Sequence, residues 1–372
     1  MILHFSKYNL GHKIAVVARS EELFKILINQ NLNVLYINVD IVLFPERQVL
    51  ALSENDNEKI KYLLNYDVVE IQENGNCFRI FCSDSPDNAL LVTDKCNSNC
   101  LMCPIAESIR MKGSSKEVEI IKEIIKYIPQ FAEHITITGG EPFIIGEGIF
   151  DVFSDLKNRL TNTEYLLLTN GRAFSIKKYA EQFLQTSPKK MIIGVPLHGY
   201  DAETHDYITQ SPGSFEQTFY GLKNILKYGF IIEIRIVVSK LNYLFISKIA
   251  DLIVKEFCGV FCVKFIGLEM LGNAAKNKND VWIPYHEAFA KCEKAIDLLV
   301  SNGIDVGIYN FPLCTISKRY RYLSYKSITD YKIKYSEGCK NCLNKDSCGG
   351  IFEGTIRLVD DLKPEVKYEQ LF

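Results

Sequence analysis

From about residue 88 onward, apolar runs and amphipathic stretches alternate along the chain. Short apolar, β-branched runs at 90–93, 135–138, 165–169, 191–195, 232–238 and 262–266 read as buried strands. Helical periodicity fills the gaps at 116–128, 149–160, 176–186, 214–228 and 244–256. Six strands alternating with five helices predict βαβ units on a parallel sheet. Right-handed crossovers would curl such a sheet into an open, partial barrel. Residues 1–87 carry a different pattern. Apolar runs at 14–17 and 34–37 flank a helical stretch at 21–27, and strand-like runs at 68–72 and 78–81 are joined across Asn74-Gly75, a hairpin signal. A small α/β or β-rich domain without a catalytic motif is expected there, with Cys77 and Cys82 in its core. In the third region, 276–372, Pro284 can open a helix that runs to Ser301, and Asn302-Gly303 ends it.

Composition narrows the function classes. The net charge is −2 with 24% charged residues, so no basic face points to nucleic acid. No run of about 18 apolar residues predicts a membrane span, and the start of the chain lacks the apolar core of a signal peptide. There are 12 cysteines, and Cys96, Cys100, Cys103, Cys314, Cys339, Cys342 and Cys348 fall in or near two clusters with metal-ligand spacing. Without a secretory signal this favours metal binding over disulfides and a reducing cytoplasm. Cys258, Cys262 and Cys292 have no such spacing and are expected to be buried thiols.

The first cluster is C-x3-C-x2-C, formed by Cys96, Cys100 and Cys103 directly after the apolar run 89–92. Structural zinc takes four closed ligands. A [4Fe–4S] cluster held by three thiolates keeps one iron open to a substrate or cofactor. A zinc loop and three unrelated buried cysteines are the plainer alternatives. One strand–helix unit later, the strand at 135–138 runs into Gly139-Gly140-Glu141-Pro142. There the glycines permit a tight turn with close backbone approach, and Glu141 can accept hydrogen bonds.

The cysteine triplet and the Gly-Gly-Glu turn together resemble the radical S-adenosylmethionine (SAM) superfamily. The resemblance implies a partial (β/α)6 barrel over 88–275 within an α/β fold. Cys96, Cys100 and Cys103 would be the catalytic residues, holding a [4Fe–4S] cluster whose open iron chelates SAM, and Glu141 would receive the SAM amino group. It also makes Gly139, Gly140, Pro142, Thr169 and Asn170 candidate cofactor-binding residues. Thr169-Asn170-Gly171 is equally a plain turn. After the fourth strand, relatives carry a serine that helps hold SAM; here Pro196 stands in that run, which puts the polar contact in doubt. His198 could face substrate or be a structural histidine. Arg235, inside an apolar strand, needs a carboxylate, either that of SAM or a core acid such as Glu141. Met102 and Leu268, with Met270 and Leu271, would pack against adenine or serve as plain core.

The second cluster is C-x2-C-x5-C at Cys339, Cys342 and Cys348, with Cys314 upstream. Four thiolates can close a [4Fe–4S] cluster or a zinc tetrahedron. The pattern resembles the shortened auxiliary-cluster region of peptide-modifying radical SAM enzymes, which implies one auxiliary [4Fe–4S] cluster. Over roughly 85–352 the arrangement most resembles the His-Xaa-Ser system maturases of the partner-C type. That implies a peptide substrate, which for that family carries His-Xaa-Ser repeats, a second radical SAM protein, and an electron donor such as flavodoxin or ferredoxin. Sulfatase-maturase-like or small-molecule radical chemistry, and a non-catalytic iron–sulfur or zinc scaffold, are the alternatives.

Overall fold

The computed structural model describes residues 2–52, 56–328, 332–360 and 362–366. Parts of the two flanking regions expected from sequence, at 53–55, 329–331, 361 and 367–372, lie outside the described residues. The chain forms two compact units, one of residues 1–93, 115–167 and 185–191, the other of residues 94–114, 168–184 and 192–372.

The first part of the chain is β-rich. Strands β1 (Ile2–Ser6), β2 (Lys13–Ala18), β3 (Val34–Ile37), β4 (Ile41–Phe44), β5 (Gln48–Leu52), β6 (Val68–Ile71) and β7 (Asn76–Phe81) close into a barrel in the order β1-β5-β4-β3-β2-β6-β7. Helix α1 (Glu21–Asn29) is the crossover between β2 and β3, the parallel pair of this barrel. Its Ser20 N-cap accepts the Leu23 amide. Leu3, Phe5, Ala15, Val17, Leu35, Leu43 and Cys77 fill the barrel. The β6–β7 turn falls where the Asn-Gly signal predicts it, with Gly75 at φ +82°. A side chain there would meet the Phe5 carbonyl at 2.3 Å, so close approach as well as backbone angle requires glycine. Cys77 is core, as expected, but Cys82 is only partly buried and its Sγ lies 2.8 Å from an Asp84 carboxylate oxygen.

The parallel sheet follows in chain order: β8 (Asp87–Leu91), β9 (His134–Thr138), β10 (Glu164–Leu168), β11 (Met191–Pro196), β12 (Ile231–Val237), β13 (Cys262–Ile266), β14 (Asp305–Tyr309) and β15 (Ser324–Tyr325). Its helices are α2 (Glu107–Lys112), α3 (Val118–Tyr127), α4 (Gly148–Arg159), α5 (Lys177–Thr186), α6 (Ala202–Thr209), α7 (Ser214–Lys227), α8 (Ile246–Glu256), α9 (Gly272–Lys276), α10 (Lys278–Val281) and α11 (Tyr285–Ser301). In the first unit β8, β9 and β10 are parallel, with Leu90 opposite Ile137 and Ile137 opposite Leu167. In the second unit β11 to β15 continue parallel, with Arg235 opposite Lys264 and Lys264 opposite Gly307. This is the curled α/β half-barrel that the alternation of apolar runs predicts.

The sheet extends two strands beyond the expected six. The helix opened by Pro284 is the crossover from β13 to β14, and Gly303 at φ +73° closes it where the Asn-Gly stop signal stands. At the C-terminal end, β16 (Ile333–Lys334) and β17 (Ile351–Phe352) pair antiparallel. Cys262 and Cys292 are buried as expected, whereas Cys258 is exposed in the turn after α8, where the chain needs no apolar packing.

Candidate cofactor site

The Cys96–Cys103 loop has no regular structure of its own, so other elements must hold it. Two of its amides close onto the C-terminal end of α6: Asn99 N–H donates to the Thr209 carbonyl and Leu101 N–H to that of Ile208, each at 2.9 Å. Those carbonyls are among the last of a helix and lack partners within it, so the loop completes α6 while α6 fixes the loop. From the far side, Asn273 at the start of α9 donates to the Cys100 carbonyl at 3.1 Å and to Asn99 Oδ1 at 2.9 Å. Asn277 donates to the Leu101 carbonyl at 3.0 Å, and the Ala274 amide to the Cys103 carbonyl at 3.1 Å. Gly272 must be glycine: a Cβ there would lie about 2.5 Å from the backbone of Pro104 and Ile105.

Arg110 on α2 is the central brace. It is 3% exposed and donates to the Ser98 carbonyl and to Asn99 Oδ1, both at 2.6 Å, and to the Ile105 carbonyl at 3.2 Å. Removing it would take this donor from the buried Ser98 carbonyl and loosen the Asn99 and Ile105 contacts, at a cost on the order of 3 kcal/mol. Arg110→Met is therefore expected to lower the denaturation midpoint of the metal-free chain and to speed iron loss from the loaded one. A midpoint equal to that of the unaltered chain would show that the loop does not depend on this brace.

The Thr169-Asn170-Gly171 turn is both a turn and a loop contact. Thr169 Oγ1 accepts the Gly171 amide at 3.1 Å and Asn170 Oδ1 that of Arg172, with Gly171 left-handed at φ +76°. Asn170 Nδ2 then donates to Asn97 Oδ1 at 2.6 Å. Arg172 donates to the Asn97 carbonyl at 2.7 Å, to Ser98 Oγ at 3.0 Å and to Ser211 Oγ at 2.9 Å. Met102 and Leu268 are brought together, with Met270, Ile208, Ala274 and Val281, in one buried apolar cluster, while Leu271 is exposed.

The three thiols are partly exposed by residue. Burial pushes the Cys100 thiol up to about 12, with Cys103 and Cys96 adding to it and Arg110 opposing. A metal bound there must displace a proton, so its affinity rises with pH. Gly139, Gly140, Glu141 and Pro142 belong to the first unit. The Gly140 amide donates to the Thr93 carbonyl at 2.8 Å, and a Cβ on Gly139 would lie 2.5 Å from that oxygen, so close backbone packing explains the glycine. Glu141 is buried and caps the turn Pro142–Ile145 by accepting the Phe143 amide at 3.1 Å.

His198, just past β11, is buried, and burial beside His205 lowers its pKa to about 3; among the described residues its Nδ1 has no hydrogen-bond partner. Its amide donates to His205 Nδ1 at 3.3 Å. Of the partners left open for Arg235, the structure supplies a core acid, Glu233, two residues earlier on the same strand. Two positions apart on one strand, the side chains of Glu233 and Arg235 lie on the same face of β12.

Cys314, Cys339, Cys342 and Cys348 line a single pocket together with Tyr335 and Asn344. The amides of Leu313 and Gly350 each point at Cys348 Sγ from 3.4 Å, and Ser336 Oγ lies 3.2 Å from Cys339 Sγ. Burial raises the Cys314 thiol, and Cys348 and Cys339 raise it further. Both cysteine groups are all-sulfur donor sets, the ligand type of iron–sulfur clusters and of zinc sites built from four thiolates. Among the described residues no three His, Cys, Asp or Glu side chains close around a single-ion position. Also among them, no helix is long and apolar enough to cross a membrane.

Arg110, Arg172, Asn273 and Asn277 escaped sequence reading. Arg172, Asn273 and Asn277 act on carbonyls and side chains far away in the chain, and Arg110 on groups 5 to 12 positions before it at no regular spacing, so no spacing rule carries the signal.

Comparison with known proteins agrees with this geometry. Residues 90–246 match the family described as the Radical SAM superfamily. The chain is 28% identical over 165 residues to an AdoMet-dependent heme synthase of Methanosarcina barkeri, covering 43% of this chain and 45% of that one. It is 26% identical over 172 residues to the antilisterial bacteriocin subtilosin biosynthesis protein AlbA of Bacillus subtilis, covering 45% of this chain and 37% of that one. Thus the match spans less than half the length of either relative. Among solved structures, Streptococcus suis SuiB bound to its precursor peptide SuiA superposes with a TM-score of 0.50 at 15% identity, over 61% of this chain and 49% of that one. This last likeness concerns the fold.

Proposed function

We propose, from the match of residues 90–246 to the Radical SAM superfamily, that this chain reductively cleaves SAM and uses the resulting radical to modify a ribosomally made peptide. The observation that carries the reading is the pairing of two separate all-cysteine groups: three thiols on a loop braced at both ends, and four lining one pocket. The first set suits a cluster with one open iron and the second a closed one. Cys96, Cys100 and Cys103 would hold the first cluster, and the chemistry it would supply when bound is the one-electron cleavage of SAM to methionine and a 5′-deoxyadenosyl radical able to take a hydrogen atom from the peptide.

The chain's own residues do the rest. Arg110, Asn273 and α6 hold the ligand loop in place. Glu141 keeps its carboxylate in a buried turn, where it would receive the SAM amino group. The protein orients its cofactors and excludes side reactions, while the cofactors carry the hard chemistry. The peptide class rests on the C-terminal cysteine pattern and on the likeness to a bacteriocin biosynthesis protein. A cytoplasmic location, a flavodoxin- or ferredoxin-type donor and a second radical SAM protein complete the proposal.

Co-expression without oxygen with a short His- and Ser-rich peptide tests this. A peptide that loses two hydrogens, one to the radical and one as a proton with an electron, is the expected product. Peptides of unchanged mass, together with turnover of a small molecule, would replace the substrate class.

A further inference from the structure

The second unit carries a charged patch that the cofactor site does not use. Along β12 the side chains alternate, and Ile232, Ile234 and Ile236 are completely buried on one face. Glu233 and Arg235 stand on the other. Register places Lys264 beside Arg235, then Gly307 beside Lys264 on β14, and pairs Tyr309 with Tyr325 of β15. These residues therefore share one face of the sheet, the one turned away from the buried isoleucines.

The charges on that face do not balance. Among the described residues of β12 to β15 Glu233 is the one buried acid, and its carboxylate is taken by Arg235 and faces the Cys262 thiol at 3.8 Å. Asp305, opposite Cys262 at the start of β14, is exposed to solvent. Lys264 is 8% exposed, and among the described residues no carboxylate is in ion-pair contact with it. Its ammonium lies 4.7 Å from the Tyr325 ring centre and 5.0 Å from that of Tyr309, and Arg235 sits 5.9 Å over Tyr309. Gly307 makes room for it, since a Cβ there would lie 2.7 Å from Lys264 Nζ. The surrounding thiol, tyrosines and glutamate raise the pKa of Lys264 against the effect of burial, so it stays charged. A buried cation whose neighbours are two tyrosines, one of them hydrogen-bonded to it, a thiol and a carboxylate already paired with Arg235 is left without a counter-ion of its own, and its desolvation is only partly offset.

We infer that Lys264, with Arg235, Tyr309 and Tyr325, forms a subsite for one carboxylate of the substrate, so that the modified peptide presents an acidic side chain or its C-terminus there. One surplus positive charge matches a carboxylate rather than a doubly charged phosphate. Tyr325 is half exposed and gives the patch an open rim, and its carbonyl approaches Gly349, the neighbour of Cys348 in the four-cysteine pocket. The inference rests on the peptide reading above and specifies it.

The test is equilibrium dialysis of SAM-loaded, cluster-bearing enzyme against three labelled probes. N-acetyl-glutamate methylamide carries a side-chain carboxylate, N-acetyl-glutamine a terminal one, and N-acetyl-glutamine methylamide none. One of the two acids is expected to bind about tenfold or more tighter than the neutral probe, and which one does so identifies the source of the carboxylate. Lys264→Met and Lys264→Gln should each erase the preference. Acids and neutral probe binding the unaltered enzyme within twofold of one another would overturn the inference without any variant. So would a preference that survives both substitutions, or a tenfold loss of SAM affinity in the variants, which would give the ammonium to the carboxylate of SAM. Failure of the broader reading has its own sign, the absence of 5′-deoxyadenosine from unaltered enzyme and SAM.

Discussion

Replacing Cys96, Cys100 and Cys103 together by alanine is expected to abolish 5′-deoxyadenosine formation and to remove about half of the protein's iron, four of about eight atoms per chain. The loop itself should survive. Its backbone is held by α6, Asn273, Asn277 and Arg110, and none of these contacts uses a cysteine side chain. The substitution therefore removes ligands rather than architecture, and the C-terminal set, which shares no residue with the loop, keeps its own metal. Iron and labile sulfide analysis read the first effect and product chromatography the second. SAM cleavage that persists in the triple variant would place the chemistry elsewhere.

The second large effect concerns the C-terminal pocket. Changing Cys342 and Cys348 to alanine is expected to uncouple the reaction: 5′-deoxyadenosine still forms, and modified peptide does not. Cys348 receives the backbone amides of Leu313 and Gly350, which fix its sulfur in the wall of the pocket. Four such ligands would hold a closed cluster able to take up the surplus electron or to position the peptide. Metal analysis of the triple cysteine variant, made and handled without oxygen, identifies what the pocket binds. Four irons fit the electron-transfer role; one zinc without iron would make the pocket a structural site.

The sequence announced the parallel sheet because short β-branched runs alternate with amphipathic helices, and the two periods survive in the fully buried Ile232, Ile234 and Ile236 of β12 and in Ile246, Ile249, Ala250 and Ile253 of α8. Strand β14 was less legible. Its run of five residues contains Gly307, which lowers strand propensity, and its reason lies in the Lys264 side chain crossing it, a contact 43 positions away in the chain. Helix α6 hid in a polar stretch, and its role is to lend carbonyls to the cysteine loop. The cysteines themselves were legible because thiol spacing is a local signal. Their support was not, because Arg110 and Asn273 are polar residues in short helices, where composition says nothing of burial. Arg235 shows the intermediate case: its need for a carboxylate follows from the apolar strand around it, and the structure alone names Glu233.

The central claim, a SAM-cleaving cluster on the Cys96–Cys103 loop, is tested most directly by one measurement. Electron–nuclear double resonance is recorded on the anaerobically reduced protein with SAM labelled with ¹⁵N at its amino group. A nitrogen coupling that appears with labelled SAM and vanishes in the triple cysteine variant is the expected result. A reduced cluster whose spectrum shows no coupling to SAM would contradict the account.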